Sequence, residues 1–414
     1  MSERLAIDGG TPVRTEPMPS RGLVGEEEKA AAMAVFDEAI RTGQAFGYNG
    51  PFEAQYEQDF AAFMGGGFAD GVNSGTNAVY CALGALGLDA PAEVIVPAIT
   101  DPGGMMPVAL LGCVPVVADT DPRSYNTCAE QIEPVITERT RAVIVAHIGG
   151  EPVDLDPVLE LARAHDLFVI EDCAQAHGAT YKGRPVGTLG HVAAFSTMFG
   201  KHHCTGGQGG VVYTADEDLY WRAKRFADRG KPFQLEGEEG NVVAGLNCNL
   251  NELSAAIGSA QLKKLPGIIE RRRRVGDAVK AGLADRSAVF VGWQVPDTEC
   301  VYWFLRVGLD LDALSADKKT FCAALAAEGI PVTESYRAIP CERPWFTRQA
   351  VFGRSGFPWR CSDYAGPTQP RPRIDNAVRV TDTHFNVALH ESYGPQEIDH
   401  ILTALKKVEA AYRK

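Results

Sequence analysis

The hydrophobic positions of this chain change their spacing at about residue 70. Beyond that point, short apolar runs rich in β-branched residues alternate with stretches whose apolar positions recur with a helical period. The runs cover residues 94–97, 114–119, 142–148, 168–171, 192–196 and 210–214. Strands that are apolar throughout are buried on both faces, which is typical of parallel strands that alternate with helices. The pattern therefore predicts an α/β protein with a large mixed, mostly parallel sheet sandwiched by helices.

The regions on either side of this pattern favour helices. Helical spacing predicts a helix over residues 25–42, with an acidic first turn, and another over 53–64. Residues 43–52 between them are rich in turn formers. A long helical region follows Leu250 and is expected to run to about residue 283, with a break near Pro266.

The C-terminal third is predicted to form a smaller α+β domain. Its pattern indicates a strand over 301–309, a helix over 318–328, a short strand near Val332, a strand near 385–389 and a closing helix over 396–413. The segment 352–376 is rich in glycine, proline and aromatic residues, which predicts a long surface loop. With the boundary placed in the long helix, residues 1–270 form an N-terminal arm and a large domain, and residues 271–414 form the small domain.

Composition narrows the range of functions. The chain has 414 residues and a formal net charge of −13, which argues against a nucleic acid or an anionic membrane as a partner. It has no N-terminal signal peptide and no apolar run of the roughly 20 residues that a membrane-spanning helix needs, so we expect a cytoplasmic protein. None of the ten cysteines forms a CxxC pair, so we expect free, buried thiols and no metal site.

One lysine stands out as a candidate for chemistry. Lys201 lies in the segment FSTMFGKHHCTGGQGG, between a short apolar strand and a glycine-rich turn. Burying a lysine costs several kcal/mol unless its charge is compensated, and glycines let the backbone approach a ligand closely. This setting suggests a Schiff base to an aldehyde cofactor, although a solvated surface residue is the commoner interpretation of a single lysine.

Other polar groups are expected near Lys201. In FVIEDCAQAHG an apolar strand ends at Asp172, whose carboxylate can hold a pyridine nitrogen protonated, and Gln175 can donate to a phenolic oxygen on the same ring. Residues 73–76 (NSGT) end a strand and open a helix, which predicts a phosphate site, with a plain N-cap as the alternative. Ser196 can add a hydroxyl to that phosphate.

Asp172 and two further polar residues, His177 and Asn247, have other possible roles. A structural salt bridge or a cap is the alternative for Asp172. His177 is expected to be a hydrogen-bonded core residue. Asn247, in GLNCNLNEL before the long helix, is a polar donor that a dimer partner can supply.

Together these motifs resemble the DegT/StrS-type aminotransferases, which are pyridoxal-phosphate (PLP) enzymes that aminate keto sugars and keto cyclitols. The resemblance is carried by a strand followed by EDxAQAHG, by FSxxxxK, by a GxGG turn and by GxNxxxNEL. The opening GGTPVR and the segment VNSGTNA also fit, so nearly the whole chain is covered. The resemblance implies a fold type I PLP enzyme and a homodimer with its active site at the subunit interface.

Carried over residue by residue, the resemblance implies that Lys201 forms the Schiff base and that Asp172 contacts the pyridine nitrogen. Gln175 would lie beside the phenolic oxygen. The phosphate contacts implied are those of Gly75, Thr76, Ser196 and, from the partner subunit, Asn247.

Two positions depart from the family pattern. Asp101, in PAITDPGG, stands at a cofactor-binding position where the family usually has an aromatic residue that stacks on the ring. A carboxylate cannot stack in that way, which puts the reaction specificity in question. Gln208 replaces the usual acidic residue of the glycine-rich turn.

The histidines after Lys201 make the alignment ambiguous. Related keto-sugar 3-dehydratases have histidine in place of the lysine, and aligning on the glycine turn puts His202 at that position. The pattern FSFxPGKNLGxxGDGG matches without a gap and puts Lys201 there, so we predict an aminotransferase. It would move an amino group from glutamine or glutamate to a keto sugar or keto cyclitol, in secondary-metabolite or amino-sugar biosynthesis. The alternatives are a PLP-dependent dehydratase, epimerase or other lyase, and a cofactor-bound regulator.

Overall fold

The computed structural model describes residues 3–284, 288–336, 338–368 and 371–414. Its α-helices are α1 (Glu26–Thr42), α2 (Pro51–Phe63), α3 (Gly75–Leu86), α4 (Met106–Leu110), α5 (Ala129–Ile132), α6 (Leu155–Ala164), α7 (Glu217–Ala227), α8 (Glu252–Gly282), α9 (Lys318–Ala327), α10 (Pro344–Thr347), α11 (Asp375–Thr383) and α12 (Pro395–Tyr412). Its strands are β1 (Phe68–Val72), β2 (Glu93–Pro97), β3 (Val114–Ala118), β4 (Thr140–Ala146), β5 (Phe168–Asp172), β6 (Thr180–Tyr181), β7 (Arg184–Pro185), β8 (Val192–Ser196), β9 (Gly210–Thr214), β10 (Val289–Val291), β11 (Thr298–Glu299), β12 (Leu305–Leu309), β13 (Val332–Thr333) and β14 (His384–Val387).

The larger sheet has seven strands in the order β1-β9-β8-β5-β4-β2-β3. The strands from β3 to β8 in this order run parallel, and β9 pairs antiparallel with both β8 and β1. The apolar runs form these strands because every residue of β2, β3, β8 and β9 is buried, as expected when helices cover both faces. The predicted mixed, mostly parallel sheet is confirmed.

Helix α3 links this sheet to the site described below. Only Asn73 and Ser74 separate it from β1, and it packs on β8 and β9 and against α7. Its buried residues, among them Ala78, Val79 and Ala82, recur at helical spacing and face the sheet core. The N-terminus of α3 is therefore held close to the end of β8.

A second, antiparallel sheet in the order β10-β12-β14-β13 forms a smaller α+β unit with α9 and α12. Its core contains Phe321 and Phe385 together with Val275 and Val279 of α8. The N-terminal segment contributes Leu5 to the same core. α8 thus packs into both cores, and the domain boundary near residue 270, which falls inside this helix, remains a prediction.

The break predicted near Pro266 is wrong. α8 continues from Glu252 to Gly282 with Pro266 inside it. A proline inside a helix removes one hydrogen bond and costs about 3 kcal/mol. The neighbouring Leu265 and Ile269 are buried in the larger core, and tertiary packing of this kind holds a helix together across such a defect.

The strand predicted over residues 301–309 is shorter than expected, since it begins only at Leu305. Tyr302 has a left-handed backbone with φ 47°, which a strand does not accommodate. Val301 and Trp303 instead donate their backbone amides to the glycine turn that follows β4, at 3.0 and 2.8 Å. The residues before β12 therefore form a turn that packs on the larger sheet.

The loop predicted over residues 352–376 is present up to the start of α11, apart from residues 369 and 370, which lie outside the described chain. Its description as a surface loop is wrong for Trp359 and Tyr364, which are 2% and 7% exposed. Both pack into the core of the larger sheet, and the Tyr364 hydroxyl donates to Glu93 at 2.9 Å. Aromatic side chains bury large apolar areas, so they fix this irregular segment to the core.

Two expectations from composition can be compared with the structure. All ten cysteines are free and nine of them are buried, which confirms the prediction of free thiols. Among the described residues, no helix has the length and apolar character needed to cross a membrane.

The buried Glu53 of α2 gives a testable pH dependence. Burial and the nearby charge of Glu57 raise the pKa of Glu53 from 4.5 to about 8. The folded protein therefore keeps a proton that the unfolded chain releases above pH 4.5. The resulting stabilisation is complete below that pH and is lost as the pH rises through about 8.

We expect Glu53→Gln to raise the free energy of unfolding above pH 8 by roughly 1–3 kcal/mol, with little change at about pH 5. Melting temperatures measured across this pH range provide the test. The exposed Glu160→Gln serves as the control and should follow the wild-type profile. A parallel profile for Glu53→Gln, with the same shift at every pH, would contradict the prediction.

Candidate active site

The carboxyl ends of β5 and β8 and the N-terminus of α3 meet at one edge of the larger sheet. A cavity of about 310 Å³ opens there. Six of the eight predicted site residues line it: Gly75, Thr76, Asp101, Asp172, Ser196 and Lys201. Gln208 of the glycine-rich turn lines it as well. They converge because the carboxyl ends of parallel strands share one edge of the sheet, which is where α/β proteins bind their ligands.

Lys201 lies on the loop that joins β8 to β9, here called the lysine loop (residues 197–209). The amide of Thr197 donates to the carbonyl of Gly209 at 2.8 Å and closes the base of the loop. The amide of Lys201 donates to the carbonyl of Met198 at 2.9 Å. Because β8 and β9 are paired neighbours, the sheet fixes both ends of this loop.

The environment of Lys201 favours a reactive amine. Burial lowers the pKa of its ammonium group, while the charges of Asp172 and Asp101 oppose that shift. Its Nζ lies 4.7 Å from the ring centre of Trp303. A lowered pKa increases the fraction of neutral amine, which is the nucleophilic form.

Asp172 is the carboxylate that β5 delivers to the cavity. Its Oδ1 accepts a hydrogen bond from the amide of Ala174 at 3.0 Å. Burial raises the pKa of Asp172, and the Ala174 amide and the charge of Lys201 oppose the increase. Among the described residues no donor reaches Oδ2 of Asp172. A ligand N–H group in the cavity can therefore occupy this acceptor.

The preceding residue, Glu171, has a structural role. Its carboxylate accepts hydrogen bonds from three backbone amides of residues 187–190 at 2.6–2.8 Å and lies 3.1 Å from Nε2 of His147. Burial alone would raise the pKa of Glu171, but these hydrogen bonds, led by that of His147, lower it overall. Of the two adjacent acids, only Asp172 faces the cavity.

The N-terminus of α3 has the features of an anion site. The Ser74 hydroxyl accepts from the Asn77 amide at 3.1 Å and caps the helix, which leaves the amides of Gly75 and Thr76 without an intrahelical acceptor. A Cβ at Gly75 would lie 2.5 Å from the Cβ of Ser196. Only glycine at this position lets the helix approach Ser196 so closely. The amides of Gly75 and Thr76 and the hydroxyl of Ser196 can together hold a phosphate.

Gln175 and Asn247 do not line this cavity. Gln175 is buried, where its Oε1 accepts from the Gly149 amide at 2.8 Å and its Nε2 donates to the Tyr336 hydroxyl at 2.6 Å. Asn247 is exposed, and its Oδ1 accepts from Nδ2 of Asn249 at 2.7 Å. Their contacts with a cofactor remain predictions.

Asp101 has a local role that explains a carboxylate at this position. Its Oδ1 accepts from the Gly103 amide at 2.9 Å and caps the short helical turn Pro102–Gly104. An aspartate favours such turns because its short side chain reaches the backbone two residues on. Asp101 is exposed on the cavity wall and presents no ring to a ligand.

The expectation that His177 is hydrogen-bonded is wrong for the described part of the chain. Both of its ring nitrogens are buried without a partner, and burial lowers the pKa of His177 well below its usual value. The ring instead packs at 5.1–5.7 Å from those of Phe195, His202 and His203. Tilted and edge-to-face ring contacts surround His177, whereas His202 lies 3.2 Å from the Val301 carbonyl and His203 lies 2.9 Å from the Tyr56 hydroxyl. His202 and His203 are also fully buried and do not line the cavity.

Sequence reasoning missed several residues close to the site. Met198 lines the cavity, Trp303 contacts Lys201, and Tyr336 bonds to Gln175. Trp303 and Tyr336 lie more than 100 residues after Lys201, and no motif connects them to it. Met198 lies within the lysine motif and could have been found there.

The cavity combines the amine of Lys201, a carboxylate oxygen of Asp172 that can accept a hydrogen bond, and the N-terminus of α3, which begins at Gly75. This donor set fits a pyridine that carries an aldehyde and a phosphate, which is the structure of PLP. The fold and the site together define a fold type I PLP-dependent enzyme.

The chain belongs to the DegT/DnrJ/EryC1/StrS aminotransferase family, whose sequence model matches residues 26–358. The predicted family, enzyme class and cofactor are confirmed by this match and by the similar proteins. A GDP-perosamine synthase of Caulobacter vibrioides is 40% identical over 226 residues, which is 55% of this chain and 60% of that protein. An L-glutamine:scyllo-inosose aminotransferase of Streptomyces griseus is 33% identical and matches 83% of this chain and 84% of that protein. The solved structure of an aminotransferase from Psychrobacter cryohalolentis has a TM-score of 0.83 at 28% identity, covering 96% of this chain and 100% of that one.

The close contact at Gly75 predicts a selective effect on cofactor binding. In Gly75→Ala the new methyl group would collide with Ser196 and push α3 away from β8. We expect the affinity for PLP to fall by at least about tenfold, because the phosphate site is assembled from both elements. Titration of the cofactor-free protein with PLP measures this affinity.

Gly207→Ala is the matched control, since a Cβ at Gly207 meets nothing within 4 Å. This substitution alters the glycine-rich turn of the lysine loop, and the variant should bind PLP as the wild type does. Equal affinities for Gly75→Ala and Gly207→Ala would contradict the assignment of the phosphate site.

Proposed function

We propose that this aminotransferase moves an amino group from glutamine or glutamate to a keto sugar or a keto cyclitol. The observation that carries the proposal is the convergence of Lys201, Asp172 and the N-terminus of α3 on one cavity. The similar proteins, which include an L-glutamine:scyllo-inosose aminotransferase and a GDP-perosamine synthase, support these substrate classes. A role in secondary-metabolite or amino-sugar biosynthesis follows from the same substrates.

Each residue of the cavity has a proposed role. Lys201 Nζ would hold the aldehyde carbon of the cofactor and, when free, would move a proton at the Cα of the amino donor. Asp172 would hold a proton on the pyridine nitrogen, and the amides of Gly75 and Thr76 together with the Ser196 hydroxyl would hold the phosphate. PLP, when bound, would supply an electron sink for the negative charge left at Cα. Burial lowers the pKa of Lys201, so a larger fraction of its amine is neutral near neutral pH and able to accept a proton.

Gln175 and Asp101 complete the proposed cofactor contacts. Gln175 would lie beside the phenolic oxygen, and its amide is held in place by Gly149 and Tyr336. Asp101 would lie beside the cofactor ring in place of a stacking aromatic residue, and its carboxylate leaves that face open to polar groups of the substrate. His202, the residue that would stand in the lysine position of a dehydratase, is buried and does not line the cavity, which supports amino transfer.

Replacing Lys201 tests the central role. We expect Lys201→Ala to lose the visible absorbance of lysine-bound PLP and to lower amino transfer by several orders of magnitude, since both the covalent attachment and the proton transfer at Cα are removed. Absorbance spectra and turnover with glutamine or glutamate as donor measure the two effects.

The exposed Lys263→Ala is the control and should retain both spectrum and turnover. In the wild type, either amino acid should convert the bound cofactor to its amino form, and a panel of keto sugars and keto cyclitols should then restore the aldehyde form. Full turnover in Lys201→Ala, or no response of the wild type to any amino donor, would contradict the proposal.

We propose that the enzyme is a homodimer in which Asn247 reaches the phosphate bound by the partner subunit. Asn247 is exposed and lies outside the cavity of its own chain. Helix α1 and the turn after it carry exposed apolar side chains, Met33, Phe36, Ile40 and Phe46, and Ile40 is 80% exposed. An apolar patch of this kind favours burial against a second copy.

Mixing Lys201→Ala with Asn247→Ala tests the shared site. At limiting PLP we expect each variant alone to have little activity, the second because the phosphate loses one contact. Lys201→Ala retains Asn247, and Asn247→Ala retains Lys201, so a mixed dimer contains one site with both residues if Asn247 acts across the interface. When equal amounts of the two variants exchange subunits at random, half of the dimers are mixed and each mixed dimer has one complete site. At limiting PLP the mixture should therefore recover about a quarter of wild-type activity. Each variant taken alone through the same exchange procedure is the control. Activity no higher than the average of the two separate variants would show that Asn247 does not act across the interface.

We also propose a cytoplasmic location. The free cysteines support it, because a reducing compartment keeps buried thiols in that form.

A further inference from the structure

Arg21 lies in the irregular segment before α1, and its side chain contacts the backbone of the lysine loop. Its Nη1 donates to the carbonyls of Gly200, at 3.0 Å, and of Lys201, and its Nη2 donates to the carbonyl of His202 at 2.8 Å. One guanidinium group thus binds three successive carbonyls around the reactive lysine. Among the described residues no other donor reaches these three oxygens.

The same guanidinium connects the lysine loop to the smaller unit. Its Nε donates to Oε1 of Glu391 at 2.6 Å, and Oε2 of Glu391 accepts from Nε of Arg272 at 2.9 Å. Arg272 in turn donates to the carbonyls of Tyr302 and Leu389 at 2.9 and 3.1 Å. The network therefore includes α8, the segment after β14 and the turn that carries Trp303.

Because the charged groups of this network are buried, the loss of one would be costly for the others. The side chain of Arg21 is 15% exposed, and those of Glu391 and Arg272 are almost fully buried. A buried charge that loses its partner is costly, so each member constrains the others. Arginine suits the position because its planar fork presents five donors in fixed directions, whereas a lysine offers one compact ammonium group.

We propose that Arg21 is a positioning residue for the reaction: it fixes the backbone of residues 200–202 and so directs the amine of Lys201 into the cavity. Arg21 does not line the cavity and touches no reacting atom. The proposal rests on the role of Lys201 under the proposed function.

Hydrogen exchange in the cofactor-free protein tests the positioning directly. We expect Arg21→Gln to increase the exchange of the backbone amides of residues 197–205, since the three carbonyls lose their anchor. Arg14→Gln is the matched control. Arg14 belongs to the same N-terminal segment and pairs with Glu397 at 3.2 Å, but it does not touch the lysine loop.

Kinetics provides a second readout. For Arg21→Gln we expect kcat to fall by about 10- to 100-fold, because small displacements of a catalytic group cost rates of this order. The KM for the amino donor should stay within about threefold, since Arg21 makes no contact in the cavity. Arg21→Lys should lie between the wild type and Arg21→Gln, because an ammonium group can replace some of the hydrogen bonds.

Chemical rescue separates positioning from general damage to the fold. Arg21 also lines a second cavity of about 340 Å³ between the N-terminal segment and α8, so a small cation can enter from that side. Guanidinium ion at millimolar concentration should raise the kcat of Arg21→Ala and reduce the exchange of residues 197–205, whereas it should not affect Arg14→Gln.

Two results would overturn the proposal: wild-type exchange of residues 197–205 in Arg21→Gln, or equal losses in Arg21→Gln and Arg14→Gln. If Arg21→Gln fails to fold, the exchange and kinetics of Arg21→Lys decide in the same way. The exchange measurement needs neither cofactor nor substrate. It therefore stands even if the wild type transfers no amino group, which would count against the proposed function instead.

Discussion

The partly buried ammonium group of Lys201, placed near two aspartates, is the electrostatic constraint on which the site depends. Burial disfavours its charge, and Asp172 and Asp101 favour it. The two groups depend on each other, because burial raises the pKa of Asp172 and the charge of Lys201 lowers it. The sheet satisfies this constraint by ending β5 and starting the lysine loop at the same edge.

Much of the fold follows from the sequence because its signals are local. β8 and β9 have the bounds that their apolar runs predict, and β2 to β5 differ from their runs by one or two residues at one or both ends. The sequence predicts no bounds for β1, whose end is indicated only by the NSGT motif. Six predicted site residues share one cavity for the same reason: each ends a strand, follows a strand or lies at the start of a helix. The topology of parallel sheets brings such positions together. Gly75 is the clearest case, since its contact with Ser196 admits no side chain.

The features that sequence analysis missed depend on contacts between distant parts of the chain. Pro266 predicts a break, but packing of the neighbouring side chains keeps the helix intact. Tyr302 interrupts an apolar run because the turn after β4 accepts hydrogen bonds from its neighbours. The aromatic residues of the loop before α11 look like surface residues until the core that receives them is known. In each case tertiary packing overrides a local preference.

The closure of the lysine loop has a consequence for how this fold can diversify. The hydrogen bond between Thr197 and Gly209 joins the two ends of the loop, and the pairing of β8 with β9 holds them on the sheet. Substitutions inside the loop can therefore alter the reactive group or its neighbours without changing the register of the strands. The scaffold can accept a new reaction through a few residues of one segment, while the stability of the sheet is left almost untouched.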